Sequence, residues 1–234
     1  RLSDFKGGMD VQKVKVLEAL QNPDCEYFYE AQQFDFSKIP GNPIAYWVSP
    51  NVLKCYNHKV IYNYAKPCKG IDTGDNSIFL RFWYEVELKK RFVPNGTKCT
   101  EEDFTQKKWF PYNKGGNFCK WYGNNEYVLN WENNGTTLKY FKRSNLRNKD
   151  MYFQKGLTWS TVTSGKSSFR YFDYGYLFDN GGSCLFTNEN LLYIQGLLNS
   201  VVSQELLTIQ PTINNQPGTI GSIPLIISKK NIVE

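Results

Sequence analysis

Histidine is all but missing, with His58 alone in 234 residues. That scarcity removes most triad chemistry, because a Ser or Cys nucleophile needs an imidazole to take its proton. His58 stands beside Asn57 with no G-x-S-x-G turn, and reads as an ordinary packed or surface residue. Cysteines stand at 25, 55, 68, 99, 119 and 184, with no C-x-x-C pair. Cys55, His58 and Cys68 are the one set that resembles metal ligands, and they lack the clustering zinc requires. There is no P-loop lysine motif. Gly74-Asp75 and Gly115-Gly116 are lone glycine turns, not a dinucleotide fingerprint. Glu85/Glu87 and the run Glu101, Glu102, Asp103 read as solvated faces or helix-start charges rather than acid/base pairs. Glu85 and Glu87 are expected on one face of a strand. No apolar run is long enough to span a membrane, and no signal-peptide pattern is present. The expectation is a cytoplasmic chain with reduced thiols, no membrane partner and no metal. Because Arg1 stands where a Met would begin a protein, the chain is expected to be part of a longer one.

Carboxylates are also missing where aromatics are dense. From Trp109 to Asn125 there is none, while Trp109, Phe110, Tyr112, Phe118, Trp121 and Tyr122 alternate with Lys114, Lys120, asparagines and glycines. Flat rings stack on or wedge between bases, ammonium groups neutralise phosphates, and glycines let backbone N–H groups approach a polyanion. A second such stretch runs from Phe153 to Ser160 and on to Ser164, Gly165, Lys166 and Arg170. Between 139 and 170, eight bases face one acid, Asp150. The net charge of +6 permits nucleic-acid binding without requiring it. The residue types that grip phosphates and read base edges are supplied by Lys114, Asn117, Lys120, Lys142, Arg143, Arg147, Lys155, Trp159, Lys166 and Arg170. For Arg170 an ion pair with Asp173 or Asp179 is the competing reading. Trp121 and Trp131 read as core rather than as stacking platforms.

The chain is long enough to be one large domain, or one domain with a small appendage. Asp10 to Gln21 is predicted as a helix with Asp10 as cap and Asn22-Pro23 as stop. Pro40-Gly41-Asn42-Pro43 is a turn, and 44–48 is a strand or a first helical turn. Residues 77–93 are expected to be one long strand or a pair, 126–142 a hairpin around Asn133-Asn134-Gly135, and 171–186 short strands between glycines. A long helix is predicted over 188–209, with Asn188 as cap, Pro211 just past its end, and Leu191, Ile194, Leu198, Val202 and Leu206 as its apolar stripe. Gly196 within it costs about 1 kcal/mol relative to Ala unless packing needs its small size. The fold class is therefore α+β: a twisted, largely antiparallel sheet with a helical lead-in and a long C-terminal bracing helix.

Several blocks together resemble part of the PglX-like adenine-specific DNA methyltransferases of BREX phage-defence systems, which are related to type IIG restriction–modification enzymes. They are Phe36 to Ser49, Gly70 to Asn76 with Phe79 to Val86, Lys108 to Asn134, Gly156 to Ser160 with Phe169-Arg170, and Leu197 to Ser200 with Pro211 to Asn214 and Ile223-Pro224. In that family this region follows the catalytic domain and includes the target-recognition domain. The resemblance implies sequence-specific recognition of double-stranded DNA, with residues 1–65 as a lead-in to a methyltransferase domain of the same parent chain and 66–234 as the recognition domain. S-adenosylmethionine would belong to the parent. The family's glycine-rich cofactor turn and Asn-Pro-Pro-Tyr motif do not occur here, so these residues are expected to be non-catalytic. Other phage-defence subunits are further implied partners, and the basic charge alone adds acidic DNA-mimicking inhibitors as a secondary expectation. The motif Asp72 to Asn76 is either a capped turn or a DNA-proximal loop. The competing class is an extracellular β-rich glycan-binding module, with aromatic platforms, sequons at Asn95 and Asn134, and three disulfides rather than six free thiols.

Overall fold

The computed structural model describes residues 5–37, 39–163, 165–209 and 214–227. Pro211, expected past the C-terminal helix, lies outside them, as do Lys38, Ser164, Thr212 and Ile213. The chain divides into two compact units, Arg1–Asn57 and His58–Glu234.

In the first unit, α1 (Met9–Gln21) forms where the spacing placed it. Its N-cap is Gly8, and Asp10 sits in the first turn, where a carboxylate favours the positive helix end. Asn22 closes it, donating its N–H to the Glu18 carbonyl. The stripe Val14, Leu17 and Leu20 is exposed. Two short helices follow, α2 (Gln33–Phe36) and α3 (Pro50–Cys55), the latter capped by the Ser49 hydroxyl. Residues 44–48 are loop and turn, neither strand nor helix.

Among its described residues the second unit holds ten strands: β1 (Ala65–Cys68), β2 (Ile71–Asp72), β3 (Leu80–Phe82), β4 (Trp109–Asn113), β5 (Tyr127–Asn130), β6 (Asn145–Leu146), β7 (Gly156–Thr158), β8 (Arg170–Phe172), β9 (Leu177–Phe178) and β10 (Cys184–Thr187). They pair in the orders β1-β10-β7-β8, β3-β5-β4-β9 and β2-β6. Each of these pairings is antiparallel except β4 with β9. The α-helices among its described residues are α4 (Asn76–Phe79), α5 (Glu101–Gln106), α6 (Glu132–Tyr140), α7 (Leu191–Asn199), α8 (Val201–Thr208) and α9 (Pro217–Gly221). The α+β class is borne out, with the expected single sheet divided into three. One aromatic-rich core serves both larger sheets, and Phe178 of one meets Phe186 of the other at 5.3 Å between ring centroids.

Three local expectations are corrected. Residues 77–93 hold only one three-residue strand. The Asp75 carboxylate accepts from Ser77 N–H and starts α4, and the Glu85 carboxylate accepts from Phe82 N–H at 2.7 Å and folds the chain back. Glu85 and Glu87 therefore share no strand face. The run Glu101 to Asp103 does open a helix, in a capping box with Thr100.

The Asn133-Asn134-Gly135 turn makes no hairpin. All three residues are left-handed, with φ of 52°, 56° and 72°, so they break α6 near its start, and regular helix rather than a strand follows them. Gly135 is required there twice over. Its φ is positive, and a Cβ would lie 2.7 Å from the Trp131 ring packed beneath it.

The long C-terminal helix is two helices. Ser200 ends α7 in extended conformation and caps α8 through its hydroxyl, and the cap of α7 is Asn190 rather than Asn188. Ile194, Leu198 and Leu206 of the stripe are buried, while Val202 is exposed.

Candidate nucleic-acid interface

The parallel pairing of β4 with β9 sends Asn113 and Phe178 to the same end of their sheet, and the loops that follow them meet there. Asp179 N–H donates to the Asn113 carbonyl at 2.8 Å. The Asp179 carboxylate accepts from the Tyr112 hydroxyl at 2.9 Å and from Gly181 N–H at 2.6 Å, and lies 3.5 Å from the Lys114 ammonium. Burial, then the Asp179 charge, pushes the Tyr112 phenol far above its ordinary value, so it stays a donor. Gly70 N–H reaches the Asp179 carbonyl, and Asn180 N–H reaches the Ile71 carbonyl, which brings in the 70–76 loop. Thr161 N–H donates to the Gly181 carbonyl, and the Ser160 hydroxyl to the Gly116 carbonyl at 2.7 Å. Gly182 permits this close approach, since a Cβ there would collide with the Asn113 carbonyl and Gly115 nitrogen. Four blocks remote in sequence, 70–76, 113–124, 159–169 and 179–183, thus form one loop cluster.

The C-terminal helices clamp that cluster. Asn199 pairs twice with the backbone of Phe169, and Gln204 accepts from Ser167 N–H. Residues 119–121 lie along the start of β8. Cys119 N–H donates to the Ser168 hydroxyl, Trp121 N–H to the Phe169 carbonyl, and the Trp121 carbonyl accepts from Tyr171 N–H and from Gln195 Nε2. Trp121 is held at φ +74°, a left-handed conformation that costs a bulky residue about 1–3 kcal/mol.

The ten predicted residues fall into separate places. Lys114 and Asn117 line a cavity of about 330 Å³ together with Phe82, Asn124, Glu126 and Tyr127, and Asn117 is exposed. Lys166 is exposed on the 159–169 loop. The Lys120 ammonium is spent on the Asn199 carbonyl at 2.6 Å. Trp159 and Arg170 have no exposed surface. The Trp159 indole donates to the Asn215 carbonyl at 2.7 Å. Arg170 has no carboxylate partner, so the expected ion pair with Asp173 or Asp179 is absent. One of its terminal nitrogens reaches Ser168, while Nε and the other nitrogen find nothing, and burial lowers its pKa. Lys142 is exposed, and Arg143 pairs with Asp75 at 2.9 Å beside the 72–76 turn. Arg147 is half-buried. Lys155 lies at the opposite end of β7, its ammonium 5.4 Å from the Tyr174 ring centroid.

Two features escaped the sequence reading. Trp121, read as core, is 54% exposed, and Phe118 and Tyr122 beside it are 58% and 62% exposed. Trp131 is core, as read. The second is a cleft of about 1090 Å³ where Lys155 lies, lined also by Tyr62, Tyr64, Lys66, Lys98 and Tyr174. These residues come from distant segments, and nothing in their local sequence marks them. All six cysteines are unpaired. Among the described residues no group of three His, Cys, Asp or Glu side chains is gathered for a metal, and no helix is long and apolar enough to cross a membrane.

No family model matches the chain. It is 39% identical over 240 residues to the adenine-specific methyltransferase PglX of Lacticaseibacillus casei (strain Zhang), a match covering 96% of this chain. Over 96% of its length the chain matches one region of a PglX-type adenine-specific methyltransferase. The resemblance read from the residues is therefore borne out. The adenine-specific methyltransferase BrxX of Escherichia coli O9:H4 (strain HS) is 38% identical over 231 residues, again 96% of this chain. The PglX-like chain spans 19% and 18% of the lengths of these two proteins.

Proposed function

We propose that this chain is the DNA target-recognition region of a BREX-type adenine-specific methyltransferase in bacterial phage defence, and that it binds double-stranded DNA through the 70–76, 113–124, 159–169 and 179–183 loops. The single observation that carries this reading is the hydrogen-bonded convergence of those loops, which contain the Gly70 to Asn76 block and the middle of the Lys108 to Asn134 block of the resemblance, around exposed rings and cations. A rigid cluster of loop tips with lysine, asparagine and flat side chains suits phosphate anchoring and base-edge contact together. Within it, Lys114, Asn117 and Lys166 face the ligand, Lys120 and Trp159 hold the loops that do, and Arg170 lies buried behind them. Lys142, Arg143 and Arg147 extend the basic face from the 72–76 turn. Residues 66–234 form the recognition domain and 1–65 lead into the methyltransferase domain. S-adenosylmethionine is bound by that other domain, in the cytoplasm. Acidic DNA mimics and other defence subunits are secondary partners on the same grounds of charge and kinship.

Titration of the chain with duplex DNA across a salt series tests the reading. With about four phosphates neutralised, log K falls with log salt at a slope of roughly −3.6. In the full parent, Asn117→Ala and Lys166→Ala change the methylated motif or the methylation level on sequencing of host DNA. Absence of DNA binding at low salt, with motif methylation indifferent to both substitutions, refutes it.

A further inference from the structure

We infer that Trp121 is a stacking blade for bases exposed at an opened step of the DNA, an inference that rests on the DNA-recognition reading. Three observations converge on its ring. First, the backbone at Trp121 has φ +74°, where glycine sits without cost and tryptophan does not. Second, the straps that impose this geometry use only its main-chain N–H and C=O, bonded to Phe169, Tyr171 and Gln195. The indole is not needed for any of them. Third, the ring is 54% exposed, between Phe118 and Tyr122, on a segment with no carboxylate from Trp109 to Asn125. A residue that strains the backbone and leaves about half of its own surface in solvent gives the fold less than a buried tryptophan does. Its use is in what the ring touches.

The chemistry of the surroundings selects the occupant. Lys120, whose ammonium rests on the Asn199 carbonyl, and the buried Arg170, whose backbone bridges to Trp121, put two cations on the segments that hold the ring. Lys166 is exposed on the neighbouring loop. A flat apolar face on a segment with cations and no carboxylate fits a base carried on a phosphate chain. Bases in an intact duplex hide their faces in the stack. A methyltransferase that works on a base must extrude it, leaving a step whose neighbouring faces are open. An exposed, rigidly held indole stacks on such a face.

Binding of the chain to a fully paired duplex and to the same duplex with one abasic position, over a salt series, tests the inference. Trp121→Gly and Trp121→Phe are compared with the wild type, and melting temperatures are taken alongside. The wild type is expected to prefer the opened duplex. Trp121→Gly is expected to keep or raise the melting temperature and to lose roughly 5- to 150-fold in affinity for the opened duplex, the span of base–aromatic stacking. The salt slope stays unchanged, because a ring releases no counterions. Trp121→Phe retains part of the preference. An unchanged preference in Trp121→Gly, a fall in its melting temperature, or an altered salt slope overturns the inference while leaving DNA binding intact. If the wild type binds neither duplex, the DNA reading itself has failed.

Discussion

Lys120 donates its ammonium to the main-chain carbonyl of Asn199, 2.6 Å away and 79 positions on in the chain. That carbonyl belongs to the last residue of α7, where the helix leaves carbonyls unpaired and the dipole favours a cation. Lys120 thereby pins the 117–123 loop to the helix. Lys120→Ala is expected to cost about 1–2 kcal/mol of stability and to leave the salt slope of DNA binding nearly unchanged. Lys166→Ala is expected to do the reverse, flattening the slope by about 0.9 with little effect on melting. Thermal melts and salt titrations of both variants decide the matter.

Arg170 is a buried charge without a counter-ion, and such a group costs more than it returns. Arg170→Met is expected to melt at or above the wild-type temperature. Arg170→Ala, which leaves a cavity as well, is expected to lose about 2–5 kcal/mol. A large loss in both variants would mean that the guanidinium itself supports the loops.

Gly196 lies in the middle of α7, and a Cβ there meets nothing within 4 Å. Gly196→Ala is expected to stabilise the chain by about 0.5–1 kcal/mol through helix propensity. Calorimetry should show a rise of roughly 1–4 °C.

Cys68 and Cys184 face each other in register across β1 and β10, both buried. Burial pushes the Cys68 thiol up to about 12 and the Cys184 thiol well above its ordinary value. A brief iodoacetamide pulse at pH 8 is expected to leave both unlabelled until the chain is unfolded, as read by mass spectrometry. The folded state holds these protons more tightly than the unfolded state does. The Cys68 contribution to stability is therefore complete below pH 9 and declines as pH climbs from 9 towards 12. Melting temperatures across that window are expected to fall.

What was legible in the sequence was whatever local chemistry decides. Helix α1 and the short strands between Arg170 and Thr187 follow from apolar spacing and glycine punctuation. What was not legible depends on tertiary partners. Asn133, Asn134 and Gly135 have left-handed geometry, as Asn-Gly promises, but the Trp131 ring beneath decides that a helix follows. The helix break at Ser200 is hidden because an apolar stripe continues across it, while the serine hydroxyl caps the second segment. At the proposed site, residue type placed Lys114, Asn117 and Lys166 in the loops that converge. It could not tell that Arg170 points inward, or that Trp121 stands outside a core it was expected to join.

Most of the straps across the loop cluster grip main-chain atoms on at least one side, the carbonyls of Gly116, Trp121, Phe169, Gly181 and Asn199 among them, while the Tyr112–Asp179 and Thr161–Ser183 contacts run from side chain to side chain. Main-chain atoms are the same whatever side chain stands beside them. The tips at Asn117, Phe118 and Lys166 are therefore free to mutate without loosening the frame beneath. Substitutions at those tips are expected to change what the surface touches while each variant still folds.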